Sequence, residues 1–418
     1  MSQKAPGLAA KYEDAWLLDG IRTPFVDYNG ALGSISPTDL AIKVARELFK
    51  RSAVPASDVG SVIVGNMAQA SYDTYMMPRH IGLYSGVGLD VPAVLVQRVC
   101  GTGIECVLQA ADTLKLGKTD LALVVGTESM TRAPITAYTH RGGFTMGKFE
   151  MKDFLWESLY DTAVSCNMGM TAENLAKEYG ITREEVDAYA AESFVRALGA
   201  QASGYLGGEI TPVVSEKFNA EGLNERGIQL PRGVESVTLD SHIRPTPIET
   251  LRKLKASFNG VVTAATASGI VDGAAATLVA ASSYVKANKL KPLARVVAGS
   301  VVGVQPKIMG IGPAPAIRRL LEVSGLKLSD IDRIEVNEAF AAQALAVQKD
   351  LGIDHAKYNV NGGAIAIGHP LGATGVRIGV TLARELQRSN KRYGIAAACI
   401  GGGQGIAMLI ENVASARD

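Results

Sequence analysis

The sequence predicts an α/β protein made of two copies of one unit, with a dissimilar region inserted between them. Three observations carry this. Segments recur in register at one offset, each copy alternates amphipathic helices with short apolar strands, and residues 130–259 differ in composition from both copies. At an offset of 272 residues (57 to 329), Ser57-Asp58-Val59 matches Ser329-Asp330-Ile331 and Val62-Ile63-Val64 matches Ile334-Glu335-Val336. At the same offset Cys100-Gly101-Thr102-Gly103-Ile104 faces Gly372-Ala373-Thr374-Gly375-Val376, and 120–126 faces 392–398.

The first copy opens with a helix whose apolar residues, Ala41, Val44, Ala45 and Leu48, fall on one face. A β-branched strand follows at 61–64. The glycine turn at Cys100–Gly103 then starts a second helix carrying Ile104, Val107, Leu108, Ala111 and Leu114, which stops near Gly117. A nearly uninterrupted apolar strand comes next, at 121–125. The second copy repeats this with Ile317, Leu320 and Leu321, then strands at 333–336 and 395–398. Such apolar strands suit sheets covered by helices on both faces. Two related halves packed together would place their second helices near a pseudo-twofold axis. The inserted region is richer in charge, Met and aromatics (Phe144, Met146, Phe149, Met151, Phe154, Trp156), and its helix at 182–198 begins with the capping-box pattern Thr182-Arg183-Glu184-Glu185. It either covers a site or forms a peripheral subdomain.

Composition narrows the function. At 418 residues, 47% of them apolar, the chain exceeds one ordinary core and is no disordered protein. A net charge of +1 gives no basis for a nucleic-acid or acidic-membrane partner. No run of about 18 apolar residues is present, so no membrane helix is expected. Met1 to Tyr12 has no apolar signal core, and Ser415-Ala416-Arg417-Asp418 is no peroxisomal tripeptide, so a cytoplasmic location is expected. The four cysteines are scattered, which argues against disulfides and against a metal site.

Three scarce reactive side chains sit beside glycines. Cys100 lies just before a helix, where free N–H groups and the dipole favour a thiolate; the alternative is a small buried hydrophobe. His369, in Gly368-His369-Pro370, stands on a loop that Pro370 stiffens, as a general base requires. Cys399 ends an apolar strand and opens Gly401-Gly402-Gly403; it is either packing or a second acid/base beside a turn that offers N–H groups to an oxyanion. Asn337 ends the strand matched to 61–64, as an orienting amide or a plain turn amide. Cys106 and Cys166 read as structural, and His80, His140, His242 and His355 carry no expected chemistry. Two thiols and an imidazole together suggest acyl transfer through a covalent thioester.

In combination these motifs are specific. The Cys100 loop, Asn337-Glu338-Ala339-Phe340-Ala341, the run Gly362–Gly372 around His369, and Cys399-Ile400-Gly401-Gly402-Gly403 make the chain similar to the thiolases from about Ala15 to Glu411. The resemblance implies two βαβαβαββ halves with mixed sheets, layered α/β/α/β/α, plus a loop domain. The halves would be 1–129 with 260–290 and 291–418, and the loop domain 130–259 would bind coenzyme A and make oligomer contacts. It implies that Cys100 is the acylated nucleophile, that His369 takes its proton, and that Cys399 moves the α-carbon proton. Asn337 would hold a water that completes one oxyanion hole with His369, and the N–H groups of Cys100 and Gly401 would form the other. Ser268 would contact pantetheine, Arg244 the nucleotide end, and Leu159, Met168 and Phe258 the acyl and pantetheine groups. Acyl-CoA and CoA are the implied substrates, with no cofactor, and a homodimer or homotetramer the implied assembly. Gln97, Ala265-Thr266 and Asn167 depart from the usual family residues, the last two next to where substrate would lie. A decarboxylating ketoacyl synthase and a CoA-binding protein with little turnover are the rival readings.

Overall fold

The computed structural model describes residues 7–138 and 140–416. Residues 1–6 of the N-terminal stretch and Arg417–Asp418 of the C-terminal one, both read above, lie outside it. Among the described residues an 11-stranded mixed sheet dominates. Its main strands are β1 (Trp16–Arg22), β2 (Ser61–Gly65), β3 (Ala93–Val96), β4 (Leu121–Glu128), β5 (Val271–Ala280), β6 (Ala294–Gly303), β7 (Arg333–Val336), β8 (Tyr393–Ile400) and β9 (Gln404–Glu411). They run in the order β7-β8-β9-β6-β1-β5-β4-β2-β3.

The repeat is visible in this order. In the first half β2 is parallel to β4, and β4-β5-β1 continue antiparallel. In the second, β7 is parallel to β8, and β8-β9-β6 continue antiparallel. Even the β3 position has its counterpart, since Tyr358 bridges Ile334 in parallel. The half-sheets join where Trp16 and Leu17 of β1 pair with Arg295 and Ala294 of β6, a contact that covers two edges otherwise open to mispairing.

Five layers result. Helix α1 (Pro37–Ser52), capped by the Ser36 hydroxyl, packs on β1, β4 and β5 from one outer side. Helix α5 (Pro313–Ser324) packs on β6 and β9 from the other. Between them lie α2 (Thr102–Lys115), against β4 and β9, and α7 (Leu371–Arg388), against β4, β5 and β8. These two middle helices touch backbone to backbone at Gly103 and Gly375, the pair related by the repeat offset. A Cβ on Gly103 would lie 2.6 Å from Val376 N, and one on Gly375 2.1 Å from Ile104 N. The expected pseudo-twofold axis passes through this contact, which glycine alone permits.

The region 130–259 supplies α3 (Met168–Glu178), α4 (Arg183–Ala202) and short two-stranded pieces such as Glu216–Phe218 with Arg226–Ile228. The capping box at Thr182 forms in full, with Thr182 N donating to Glu185 Oε2 (2.7 Å) and Glu185 N to Thr182 Oγ1 (3.3 Å). Helix α4 packs against α6 (Ala341–Leu351) and the helical turn Ala364–Ile367, which leads to His369. Among the described residues no helix is long and apolar enough to cross a membrane.

Candidate active site

The Cys100 turn is built tightly. Val99 holds φ at +44°, a conformation that costs a β-branched residue on the order of 1–3 kcal/mol and that the surroundings must therefore enforce. The enforcing bonds are visible. Thr102 Oγ1 donates to Val99 O (2.6 Å) and accepts from Arg98 N (2.8 Å), while Gly101 N donates to Arg98 O (2.9 Å). Cys100 is buried, and the backbone N–H groups of Gly401 and of Cys100 itself favour its thiolate. Burial nevertheless outweighs these donors and pushes the thiol up to about 11, with the Glu128 carboxyl adding to the rise. This corrects the expected thiolate: loss of hydration exceeds what the helix start returns, so Cys100 rests as a neutral thiol.

His369 is equally buried and pushed down to about 3, first by desolvation and then by the Arg377 charge, so it rests as a neutral imidazole. Two side chains orient it. Thr374 Oγ1 lies 2.6 Å from Nδ1, and Asn337 Nδ2 lies 3.2 Å from Nε2. Thr374 donates its own proton to Pro370 O (3.2 Å). The network thus assigns the proton to Nδ1 and the lone pair to Nε2, the tautomer of a base. Asn337 Oδ1 is buried with no partner among the described residues. Asn337 therefore touches His369 directly.

Cys399 sits at the end of β8, opposite Gly405 of β9, and is fully buried beside Met309 and Ala339. Its sulfur is close enough for the Cys100 charge to raise its pKa further, after desolvation, which is the larger cause. The turns that carry the two thiols abut, since a Cβ on Gly101 would lie 2.7 Å from Ile400 Cδ1 and one on Gly401 3.4 Å from Val99 Cγ1, although Cys399 does not line the cavity.

The cavity is about 420 Å³, and Cys100 and His369 both open onto it. Leu159, Met168, Phe258 and Ser268 line it as expected. Phe258 seats against Gly169, where a Cβ would fall 2.1 Å from the ring. Arg244 does not line it. It is 54% exposed, with Nη1 3.4 Å from His242 Nδ1 and 4.0 Å from Asp27 Oδ2. His242 in turn packs on Gly269 of the cavity wall, so Arg244 stands one residue outside. His242 is also less ordinary than expected, its Nδ1 lying 2.5 Å from Asp27 Oδ1. The His140 side chain lies outside the described residues. Asn167, a departure from the family pattern, lines the cavity and caps α3 through Gly169 N (2.9 Å). Thr266 is buried behind the wall, bonded to Thr263.

Three supporting residues escaped the sequence reading. Thr374 was seen only as part of the repeat. Glu338 accepts from Tyr189 (3.0 Å), Ser193 (2.7 Å), Asn359 (3.1 Å) and Ile365 N (3.1 Å), tying α4 to the turn before His369. Glu128 accepts from Met67 N (2.9 Å), Ala68 N (3.2 Å), Asn66 (3.0 Å) and Gly372 N (2.9 Å), tying β4 of one half to the start of α7 in the other. No local periodicity marks such long-range bonds.

Known proteins share this fold. The family model for the thiolase N-terminal domain matches residues 16–283, and that for the thiolase C-terminal domain matches 290–412. A mitochondrial 3-ketoacyl-CoA thiolase of Bos taurus is 43% identical over 94% of this chain and 97% of its own. A 3-oxoadipyl-CoA/3-oxo-5,6-dehydrosuberyl-CoA thiolase of Escherichia coli is 42% identical over 96% and 100%. The crystal structure of human mitochondrial 3-ketoacyl-CoA thiolase in complex with CoA superposes with a TM-score of 0.90 at 40% identity, covering 98% of this chain and 100% of that one. Fold and relatives together define an acyltransferase. The chain belongs to the thiolase family. Neither rival reading, the decarboxylating synthase or the binding protein without turnover, is favoured by these matches.

Proposed function

We propose that the protein catalyses reversible Claisen condensation and thiolysis of acetyl-CoA and 3-ketoacyl-CoA through an acyl-Cys100 intermediate. The observation that carries the reading is one apolar cavity onto which a neutral thiol and a neutral imidazole both open, with a second thiol on the turn that abuts the first. In thiolysis His369 Nε2 takes the Cys100 proton as sulfur attacks the 3-carbonyl. The C2–C3 bond breaks and Cys399 protonates the departing acetyl-CoA enolate; the Cys399 thiolate then takes the proton of the CoA thiol, whose sulfur takes the acyl group as His369 returns its proton to the leaving Cys100 sulfur. Condensation is the reverse. Charge develops on substrate oxygen in each step, where the N–H groups of Cys100 and Gly401 on one side, and His369 with Asn337 on the other, lower the barrier. Starting from a neutral pair, proton transfer accompanies attack, and no isolated ion has to be buried beforehand.

Only protons and an acyl group move, so the reading needs neither metal nor redox cofactor. Ser268, Leu159, Met168 and Phe258 receive the pantetheine and acyl groups, and Arg244 the nucleotide end. A homodimer or homotetramer is proposed, supported by the exposed Phe144, Met146, Phe149 and Met151 of the 144–154 segment; sedimentation checks it. Cytoplasm is the proposed compartment, and import into mitochondria, suggested by the relatives' names, is what fractionation would decide against it.

Acetoacetyl-CoA and CoA are the assay. The wild type should form acetyl-CoA, and Cys100→Ala should lose at least about 10⁴-fold in kcat. A Cys100→Ala protein that still turns over would refute the nucleophile.

A further inference from the structure

The overall likeness to relatives leaves the acyl group undecided, because proteins named for 3-ketoacyl-CoA and for 3-oxoadipyl-CoA stand at 43% and 42% identity. The one chain ends in hydrocarbon and the other in a carboxylate, so the cavity must discriminate. Beside Cys100 it is apolar. Met67, Met130, Leu155 and Leu371 form one buried cluster with the thiol, and Met130 and Leu371 reach the cavity surface. No Lys, Arg, Asp or Glu side chain lines the cavity among the described residues.

The cations nearest along the chain are engaged elsewhere. Arg98 donates Nε to Glu105 (2.8 Å) and Nη1 to Gln404 (3.2 Å). Arg132 donates Nη1 to Ser34 O (3.0 Å), and its guanidinium stacks 5.5 Å above the Tyr72 ring. His369 is held neutral by its burial. The ionisable side chain whose field reaches Cys100 is Glu128, a second acid.

Resting on the thiolase reading above, we infer that the acyl subsite beside Cys100 takes 3-oxoacyl chains with a neutral hydrocarbon end and rejects chains that end in a carboxylate. A terminal carboxylate would leave water for a wall with no cation to meet it, and no binding energy elsewhere on the CoA would distinguish the two substrates. The penalty falls on kcat/KM, since it is present at the transition state as well as on binding.

Two six-carbon substrates of matched length test this: 3-oxohexanoyl-CoA, ending in methyl, and 3-oxoadipyl-CoA, ending in carboxylate. The wild-type enzyme should cleave the first with a kcat/KM at least about 100-fold higher. Mass spectrometry should find butyryl on Cys100 after butyryl-CoA and no succinyl after succinyl-CoA. A ratio below about 100-fold, or succinyl labelling equal to butyryl, overturns the inference and leaves the thiolase reading standing. Cleavage of acetoacetyl-CoA but of neither six-carbon chain also overturns it, because the subsite then takes no extended chain. Cleavage of none of the three overturns the thiolase reading itself.

Discussion

The starts of α2 and α7 occupy equivalent places in the two halves, yet one presents a thiol, the proposed nucleophile, and the other an imidazole, the proposed base. At the first, Cys100 follows the strained Val99; at the second, His369 follows Gly368, whose φ of +101° admits the chain against Val271. Thr102 and Thr374 are repeat partners, and each acts as a fastener. Thr102 closes the turn before Cys100, and Thr374 holds the His369 ring through Nδ1. Duplication thus supplies two facing helix N-termini, and divergence at the residues just before them divides the chemistry. The glycine pair 103/375 sets the distance between them.

Of the changes at these two helix starts other than loss of Cys100 itself, the largest effect should come from removing the proposed base. His369→Ala is expected to slow Cys100 acylation about 10³-fold, read by stopped-flow thiolysis, while the thermal midpoint moves little. Forcing the halves apart comes next. Gly375→Ala drives a Cβ into Ile104 N and should cost about 3 kcal/mol of stability or more by urea titration. The two threonines should then separate by function. Thr374→Val should lower kcat about 10- to 100-fold with KM nearly unchanged, because the Nδ1 proton loses its acceptor. Thr102→Val should chiefly lower stability, by about 1–2 kcal/mol. Equal losses of kcat in both would blur the contrast drawn here. Smallest of all, Cys106→Ala in the interior of α2 should cost about 1 kcal/mol and leave kcat within about twofold.

Much of this was legible in the chain. The offset of 272 residues exposed the repeat, and with it the helix pair at the pseudo-twofold axis, because equal backbones keep equal spacing of apolar and glycine residues. Cys100, His369 and Cys399 stood out because rare reactive side chains beside glycines are a local signal. What the chain concealed was non-local. Glu338 meets Tyr189 and Ser193 across 149 and 145 residues, and nothing at either end announces the bond. The protonation states were concealed for the same reason. The helix start near Cys100 is local and favours a thiolate, but the burial that overrules it is a property of the whole packing. A pH titration makes the distinction visible. With Cys100 at about 11 and His369 at about 3, the thiolate fraction grows roughly tenfold per pH unit between neutrality and about pH 9, and iodoacetamide inactivation should climb with it. A plateau near neutral pH would mean a preformed thiolate–imidazolium pair.

In the proposed reaction the two duplicated halves bring Cys100, His369 and Cys399 to one substrate carbonyl, with separate tasks for the two sulfurs. Peptide mapping after a pulse of acetyl-CoA, on the wild type and on Cys399→Ser, tests it most directly. One acetyl group is expected on Cys100 in both proteins, with condensation and thiolysis lost in the variant. Acetyl found on another residue, or a Cys399→Ser enzyme that turns over at the wild-type rate, would contradict it.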